Sequence, residues 1–248
     1  MAEGIKDLFY TDVSFSYRTM GVVLYKSFNT FRKSYNSYYD LNKEVAPPSF
    51  GYGWSCDLST TVKNSNIEFC FGDVYSHTYG ELSSGNKRHF LLRMNFIDIG
   101  AGTGFTAENW KIFFMGSLIF TKQVIKSYYE FKDGTIDLGL AHKLNGYYDA
   151  YTGIKTTLGI KGHCHISRWA GLNMRLQWIC TNGSIGELND KNPAKFSQNR
   201  MNSLPVDVET FFDNGGTGGG YDGTYIEADM GGLMLSFGLT IFITKEEL

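Results

Sequence analysis

Apolar and polar residues alternate with a period of two along much of this chain. In the segment 169–180, for example, Leu172, Met174, Leu176 and Trp178 fall on one face, and the residues between them are glycine or polar. Successive side chains of a β-strand point to opposite faces, so this pattern predicts strands rather than helices. Eight such segments occur, at 8–18, 50–61, 67–72, 89–104, 110–121, 152–161, 169–180 and 232–243.

The gaps between these segments alternate between short and long. The short gaps are 63–66, 105–109 and 162–168, and the long ones are 19–49, 76–88, 122–151 and 181–231. Strands of about ten residues with short turns at one end and long loops at the other are typical of transmembrane β-barrels. The gap 122–151 contains the turn sequence Lys132-Asp133-Gly134, so 122–144 could supply two further strands. We favour eight strands, with the fifth and sixth continuing past the membrane as a protruding hairpin.

The composition narrows the class of protein. The chain has 248 residues, of which 16% are aromatic, 29 are glycine and 19% are charged. This much apolar surface excludes intrinsic disorder, and a net charge of −2 gives a nucleic-acid partner no electrostatic support. The four cysteines form no C-x-x-C pair and are interpreted as free thiols. No run of 18 apolar residues occurs, which excludes a transmembrane helix.

The two faces of the predicted strands differ in kind. One is almost purely apolar and includes Phe90, Leu92, Met94 and Phe96 of the fourth segment. The other carries small residues and charges of both signs, which suits the narrow interior of a small barrel. We predict that the interior charges form a structural ion-pair network rather than a pore; they are Asp12, Asp57, Glu68, Arg93, Lys155 and Arg175. Aromatic residues near the strand ends are typical of the two membrane interfaces; they are Phe9, Trp54, Trp110, Trp169, Trp178, Tyr128 and Tyr129.

The last strand carries the most specific resemblance. Residues 236–243, Ser-Phe-Gly-Leu-Thr-Ile-Phe-Ile, resemble the C-terminal β-signal of small bacterial outer-membrane β-barrel proteins. That family usually ends at an aromatic residue, whereas five further residues, 244–248, follow here. The resemblance covers nearly the whole chain. It implies recognition of this strand by the barrel-assembly machinery and residence in the bacterial outer membrane, with a signal peptide removed from or missing in the sequence given.

Chemical motifs are few. His165-Ile166-Ser167 resembles the His-x-Ser of lipid A deacylase barrels, but Arg168 stands where that family has asparagine. His165 and Ser167 are therefore weak catalytic candidates. His163 and His165 share one face, yet two ligands are too few for a metal site. The glycines of 215–220 and 100–104 precede neither a Lys-Ser/Thr pair nor a helix, so they predict no phosphate or dinucleotide site. We expect no cofactor and no metal.

These observations together predict an all-β, antiparallel, up-and-down transmembrane barrel that occupies 1–248 as a single domain, with short periplasmic turns and long extracellular loops. The predicted function is non-enzymatic, structural or binding, with outer-membrane lipid around the wall and a protein or glycan partner at the loops. The loops carry exposed aromatic candidates for such binding; they are Tyr35, Tyr38, Tyr39, Tyr147, Tyr148, Phe211, Phe212 and Tyr221. A deacylase-like barrel enzyme, a small pore and a soluble ligand-binding barrel are the alternatives.

Overall fold

The computed structural model of the protein describes residues 8–24, 26–107, 110–137, 144–167, 169–180, 186–187, 200–201, 204–205, 225–226 and 230–247. Eight long strands dominate it: β1 (Leu8–Leu24), β2 (Phe50–Val62), β3 (Ser65–Leu82), β4 (Lys87–Ala107), β5 (Trp110–Glu130), β6 (Gly146–His165), β7 (Ala170–Ile179) and β8 (Met230–Glu247). The helix α1 spans Lys26–Tyr38. Short strands lie at Leu41–Lys43, Ile136–Asp137, Gly186–Glu187, Arg200–Met201, Leu204–Pro205 and Tyr225–Ile226.

The eight long strands close into a ring. Each pairs antiparallel with the next along the chain, and β8 pairs with both β7 and β1. A closed sheet leaves no free strand edge, which is what an apolar solvent requires of a β-structure. The predicted eight-stranded, up-and-down antiparallel barrel is therefore confirmed. The described part of 122–144, residues 122–137 and 144, supplies the end of β5 and the short strand Ile136–Asp137 rather than two further barrel strands.

Several strands are longer than a membrane requires. β4 and β5 have 21 residues each, which corresponds to about 70 Å at about 3.4 Å per residue. A tilt of about 45° leaves a height of about 50 Å, about twice the apolar band of an outer-membrane barrel. The barrel wall therefore extends well beyond one edge of any membrane that surrounds it.

The outer wall changes character along one row of paired residues. On the outer face, Phe71 lies opposite Ile97 and Ile97 opposite Phe120, and all three are apolar. The next outward positions are polar: Asp73 lies opposite Asn95, and Asn95 opposite Lys122. We call this line the boundary row, and we call the parts beyond it, residues 73–95 and 122–130, the extension.

The outer wall on the other side of the boundary row is apolar and exposed. All four tryptophans of the chain lie on the outer face, each between 46% and 62% exposed. Trp110, Trp169 and Trp178 lie on this side of the row, whereas Trp54 lies opposite Asp73, one position beyond it. The side chain of Phe9, also predicted to lie at an interface, is outside the described residues. Tyr128 lies in the extension instead, and Tyr129 faces the interior, where the Arg88 guanidinium lies 5.0 Å from its ring centroid.

Inside the extension the alternation is inverted, and this corrects one prediction. Phe90, Leu92, Met94 and Phe96 were assigned to the outward apolar face, but they are buried inside the barrel. Their outward neighbours along β4 are polar at three of four positions, His89, Arg93 and Asn95, and Leu91 is the exception. Water rather than lipid surrounds this part of the wall, so burial of apolar side chains favours the interior here. The same change explains why the sequence placed the end of β3 at residue 72 rather than at Leu82.

The helix α1 closes this end of the barrel, although the sequence predicted a loop over 19–49. Phe28, Phe31 and Tyr35 recur at spacings of three and four, so they share one face of the helix. All three are buried, and their rings lie within 5.9 Å of the Phe90 ring centroid. We call this cluster of α1 with the inward apolar residues of the extension the plug. Tyr35 is therefore a core residue and not the exposed loop aromatic that the sequence predicted.

The connections fit their backbone geometry. The two-residue turn between β2 and β3 has Lys63 at a φ of 54°. The turn between β3 and β4 places Gly85 at a φ of 84°, a left-handed conformation that glycine adopts without strain. Among the described residues, no helix is both long and apolar enough to cross a membrane.

The plug predicts a large stability cost for one helix residue. Replacing Phe31 by alanine removes a fully buried ring and leaves a cavity, so the free energy of unfolding should fall by about 3–5 kcal/mol. Urea unfolding of the refolded protein in detergent measures this loss. Lys33→Ala changes an exposed residue of the same helix, and its free energy of unfolding should stay within about 0.5 kcal/mol of the wild-type value. Equal effects for both variants would contradict the packing of α1 in the barrel.

Candidate functional site

The lumen below the boundary row holds a network of buried charges centred on Glu68. Its carboxylate accepts a hydrogen bond from Lys161 Nζ at 2.7 Å and pairs with Arg175. Arg175 also donates to Asp98 at 2.9 Å, and Gln177 donates to the same Asp98 oxygen at 2.8 Å. These residues belong to four strands, β3, β4, β6 and β7, so the network crosses the interior rather than following one wall.

A second pair lies towards the plug. Arg18 of β1 donates to Asp57 of β2 at 3.2 Å and to the Cys70 sulfur at 2.9 Å. Its guanidinium lies 4.9 Å from the ring centroid of Phe96. Arg18 thus links the charged part of the lumen to the apolar plug, since it contacts residues of both.

The remaining predicted lumen residues are also buried. Asp12 accepts hydrogen bonds from Ser59 at 2.8 Å and from Ser14 at 3.4 Å. Lys155 donates to the backbone carbonyl of Met230 at 2.7 Å. The structure therefore places Asp12, Asp57, Glu68, Lys155 and Arg175 in the interior, but joins only Glu68 and Arg175 of this set directly.

Arg93 does not belong to this interior set. It lies on the outer wall just beyond the boundary row, where it donates to Asp73 at 2.9 Å and covers the Tyr75 ring at 5.1 Å. Tyr75 also donates to Asp73, at 2.7 Å. The sequence assigned Arg93 to the lumen because its apolar neighbours were assumed to face lipid, and the inverted extension reverses both assignments.

Four buried charges of the lumen were left out of the predicted set: Arg18, Asp98, Lys111 and Lys161. Arg18 and Lys161 fall at the ends of the first and sixth predicted segments, and Asp98 lies where the alternation of the fourth segment weakens. Their even spacing from predicted lumen residues could have identified them, because residues an even number apart in a strand share a face. Arg18 shares a face with Asp12, and Lys161 shares one with Lys155. Which charges meet across the barrel could not be read this way, because the pairing partners are 93 or more residues apart for Lys161–Glu68 and Arg175–Glu68.

The mouth of the barrel is held by both polar and apolar contacts. Arg88 donates to Asn145, and Arg32 of α1 donates to the carbonyl of Val45 at 3.1 Å. Asn36 bonds both the N–H and the C=O of Val45. Burial raises the pKa of Tyr35 to about 12, so its hydroxyl stays protonated in the plug.

The outer wall of the extension carries a second polar cluster, formed by His77, His89, Lys87 and Glu130. His77 and His89 are joined at 2.9 Å between ring nitrogens, and His89 and Glu130 at 2.8 Å. Lys87 pairs with the other Glu130 oxygen at 2.9 Å. Burial lowers the pKa of both histidines, and His77 lowers that of His89 further.

The two weak catalytic candidates, His165 and Ser167, both make contacts at the short-turn end of the barrel. The Ser167 hydroxyl oxygen accepts hydrogen bonds from the backbone N–H groups of Ala170 at 3.0 Å and Trp169 at 3.3 Å. The ring of His165 stacks on Phe242, with centroids 4.3 Å apart and planes 8° apart. Each residue therefore has a structural role at the short-turn end, and Arg168 is outside the described residues.

The part of the chain that the structure describes contains no group of three or more His, Cys, Asp or Glu side chains able to hold a metal ion. His163 is fully buried, with Nδ1 4.0 Å from an Asp12 oxygen. His165 contacts Phe242 instead. The two histidines share the inner face, as their spacing predicts.

Comparisons with known proteins were made on both sequence and structure. No protein-family model matches the chain, and no curated protein sequence matches it. Solved structures are similar to it, two of which follow. The first is Ail, the attachment invasion locus protein of Yersinia pestis, in complex with the heparin analogue sucrose octasulfate: TM-score 0.40, 8% identity, covering 96% of this chain and 100% of Ail. The second is Neisserial surface protein A: TM-score 0.36, 11% identity, covering 94% of this chain and 96% of that one.

The predicted resemblance to small outer-membrane β-barrel proteins is confirmed at the level of the fold. The strand pairing and the apolar outer wall of this chain establish that architecture by themselves. The similar structures add no argument about what this chain binds.

The lumen network predicts a strong dependence on its central carboxylate. Glu68→Gln leaves Lys161 and Arg175 short of one buried negative charge, so the free energy of unfolding should fall by about 3–5 kcal/mol. Denaturant unfolding in detergent measures the change, with Glu81→Gln on the extension as the matched control. The free energy of unfolding of that control should lie within about 0.5 kcal/mol of the wild-type value.

The double variant Glu68→Gln, Lys161→Met tests the pairing itself. Arg175 keeps Asp98 in this variant, and no cation loses its only carboxylate. Its destabilisation should therefore be smaller than the sum of the two single effects. Strict additivity would contradict a direct interaction between Glu68 and Lys161.

Proposed function

We propose that this protein is an integral outer-membrane β-barrel with a closed lumen, which acts in structure or binding through its extracellular side and not by catalysis or conduction. The observation that carries the proposal is the inversion of the wall at the boundary row. One part of the barrel is apolar outside and charged inside, and the other is polar outside and apolar inside. That sequence of environments fits a barrel that stands partly in lipid and partly in water.

The orientation follows from the connections. The short turn 63–64 and the short connection between His165 and Ala170 lie at the end where β1 begins and β8 ends. The helix α1 and the longer connections follow from the other end of the strands. Outer-membrane barrels have short periplasmic turns and longer extracellular loops. The extension and the plug would then face the outside of the cell.

The C-terminal strand supports assembly by the barrel-assembly machinery. Gly238, the glycine of the β-signal-like segment, lies where β1 approaches closely: a Cβ at this position would overlap the backbone oxygen of Phe15. Glycine at this point is therefore required by the closing contact between β8 and β1. The same strand that would be recognised for assembly is the one that closes the ring.

The partner at the extracellular side is proposed to be a protein or a glycan. Exposed lysines and aromatic residues share this side, including Lys33, Tyr38, Lys43, Lys132 and Tyr147. Aromatic and cationic side chains on a rigid scaffold favour binding. Phe211, Phe212 and Tyr221 of the longest connection are outside the described residues and remain predictions.

Neither alternative function gains a supporting observation. A deacylase needs a serine hydroxyl beside its base, whereas the Ser167 oxygen accepts two backbone hydrogen bonds within its turn. A pore needs an open interior, whereas the Glu68 network and the plug each cross it. We therefore favour a barrel that is closed at two levels.

The outward tryptophans predict strong quenching by lipid. In vesicles of brominated phospholipid, the fluorescence of the refolded protein should fall by more than half compared with ordinary lipid, because all four tryptophans lie on the outer wall. Electrophoresis without boiling should also show a mobility different from that of the heated protein. A soluble ligand-binding barrel, with its aromatics inside, would show neither effect and would remain soluble without detergent.

The closed lumen predicts no steady conductance. The wild-type protein in planar bilayers should give no stable single-channel steps, because the interior of an eight-stranded barrel is filled by side chains. A larger porin inserted in the same bilayers serves as the positive control. Uniform, reproducible steps from the wild-type protein would contradict the closed lumen and favour the pore.

A further inference from the structure

The outer wall of the extension holds a chain of hydrogen bonds that crosses three strands. His77 belongs to β3, His89 to β4 and Glu130 to β5. The chain runs from His77 Nε2 to His89 Nδ1 at 2.9 Å and from His89 Nε2 to Glu130 Oε2 at 2.8 Å. All three lie beyond the boundary row, where the wall faces water.

The ring geometry allows one hydrogen between the two histidines. Their planes differ by 11° and their centroids are 5.1 Å apart, so the rings lie nearly in one plane, end to end. Glu130 as a carboxylate only accepts, so His89 Nε2 must donate to it. Neutral His89 then has an unprotonated Nδ1, which accepts the N–H of His77 Nε2.

This arrangement tolerates one added proton but not two. When either histidine takes a proton, a single hydrogen still lies between Nε2 of His77 and Nδ1 of His89. When both are cations, both facing nitrogens carry a hydrogen at a separation of 2.9 Å. The hydrogen bond between β3 and β4 is then lost and two like charges are in contact.

The surroundings of His89 keep it out of water. Tyr79 lies directly opposite on β3, with ring centroids 5.5 Å apart, and Tyr128 directly opposite on β5, at 4.7 Å with planes 4° apart. His89 is only 7% exposed as a result. Burial disfavours the charged imidazole, which is why the pKa values of His77 and His89 are both lowered.

The charged neighbours come from every element around the cluster. Glu130 favours protonation of both histidines, and Lys87 opposes protonation of His89. Further charged groups lie on the same outer face around them; they are Lys43, Glu81, Arg93 and Lys126. Lys43 donates to the Tyr79 hydroxyl at 2.6 Å, and Lys126 lies 5.6 Å from the Tyr128 ring centroid and 5.4 Å from that of Tyr147. Lys87 is bound to Glu130 itself, so the one carboxylate in contact with His89 is already partly neutralised.

We propose that His77, His89 and Glu130 form an acid-sensitive clasp, which holds the outer wall of β3, β4 and β5 together at neutral pH and releases it when both imidazoles are protonated. The clasp is coupled to the plug through the backbone of β4. Phe90 follows His89 in the chain and packs inward on Phe28, Phe31 and Tyr35 of α1. Acid therefore loosens the extension and, with it, the closure of the mouth.

The sign of the effect follows from linkage. A histidine whose pKa is lower in the folded than in the unfolded state stabilises the fold above the unfolded value of about 6.5. That contribution is lost as the pH falls below this value. One further proton bound on opening changes the opening equilibrium by at most about tenfold per pH unit.

Hydrogen–deuterium exchange of the full chain in detergent tests the clasp. Exchange at pH 7.5 and pH 5.0, corrected for the intrinsic chemical rate at each pH, is followed in peptides covering 76–82, 87–92 and 126–130. We expect protection to fall in these peptides by about tenfold or more at the lower pH, with little change in β7 and β8. Equal protection at both pH values would overturn the proposal.

Three variants separate titration from simple loss of structure. His89→Phe keeps a ring between Tyr79 and Tyr128 but cannot be protonated, so the pH dependence in the extension should disappear. His77→Gln keeps an N–H donor to His89 and should reduce the dependence even if His89→Phe fails to fold. His165→Phe, at the opposite end of the barrel, should behave as the wild type. If both clasp variants retained the pH dependence of exchange in the extension, other groups would be its cause and the clasp would be refuted.

Discussion

The fold depends on a change of solvent along its own strands. Below the boundary row the favourable arrangement is apolar outside and polar inside, because lipid surrounds the wall. Beyond that row the same strands continue into water, where burial of apolar side chains in the interior is favourable. β4 shows both arrangements within one continuous strand: Ile97 and Ile99 are exposed on the outer face, whereas Leu92 and Met94 are buried inside. A strand with period two achieves this by changing which of its two faces is apolar.

The lumen is a consequence of that apolar wall. Its charges are buried from water and find polar partners inside the barrel, and Glu68 pairs with Lys161 and Arg175 together. Such a network specifies which strands come together more than it adds stability, because the desolvation of the charges offsets much of their attraction. Arg18 pairs with Asp57 in the charged part of the lumen and covers the ring of Phe96, which belongs to the same buried apolar cluster as the residues of the plug.

The end of the barrel that holds α1 combines a rigid closure with titratable groups on its outer face. The plug fills the mouth from within by aromatic packing, while the clasp holds the same strands from outside by hydrogen bonds. The two meet at the consecutive residues His89 and Phe90, which point in opposite directions because they are neighbours in a strand. A change of charge on the outer face can therefore act on the inner core without a long pathway.

The sequence by itself determined the eight strands, their antiparallel order and the end that carries the long connections, because period two and gap length are local properties. It also placed Asp12, Asp57, Glu68, Lys155 and Arg175 on the inward face by parity. The sequence also contained a signal for the helix, the three- and four-residue spacing of Phe28, Phe31 and Tyr35, although the long gap was interpreted as a loop. Only the tertiary structure decided which solvent each face meets, and so moved Arg93 to the outer wall and Phe90 to Phe96 inside. Alternation shows that two faces differ, but which one is buried depends on how far the strand extends past the membrane and on what packs against it.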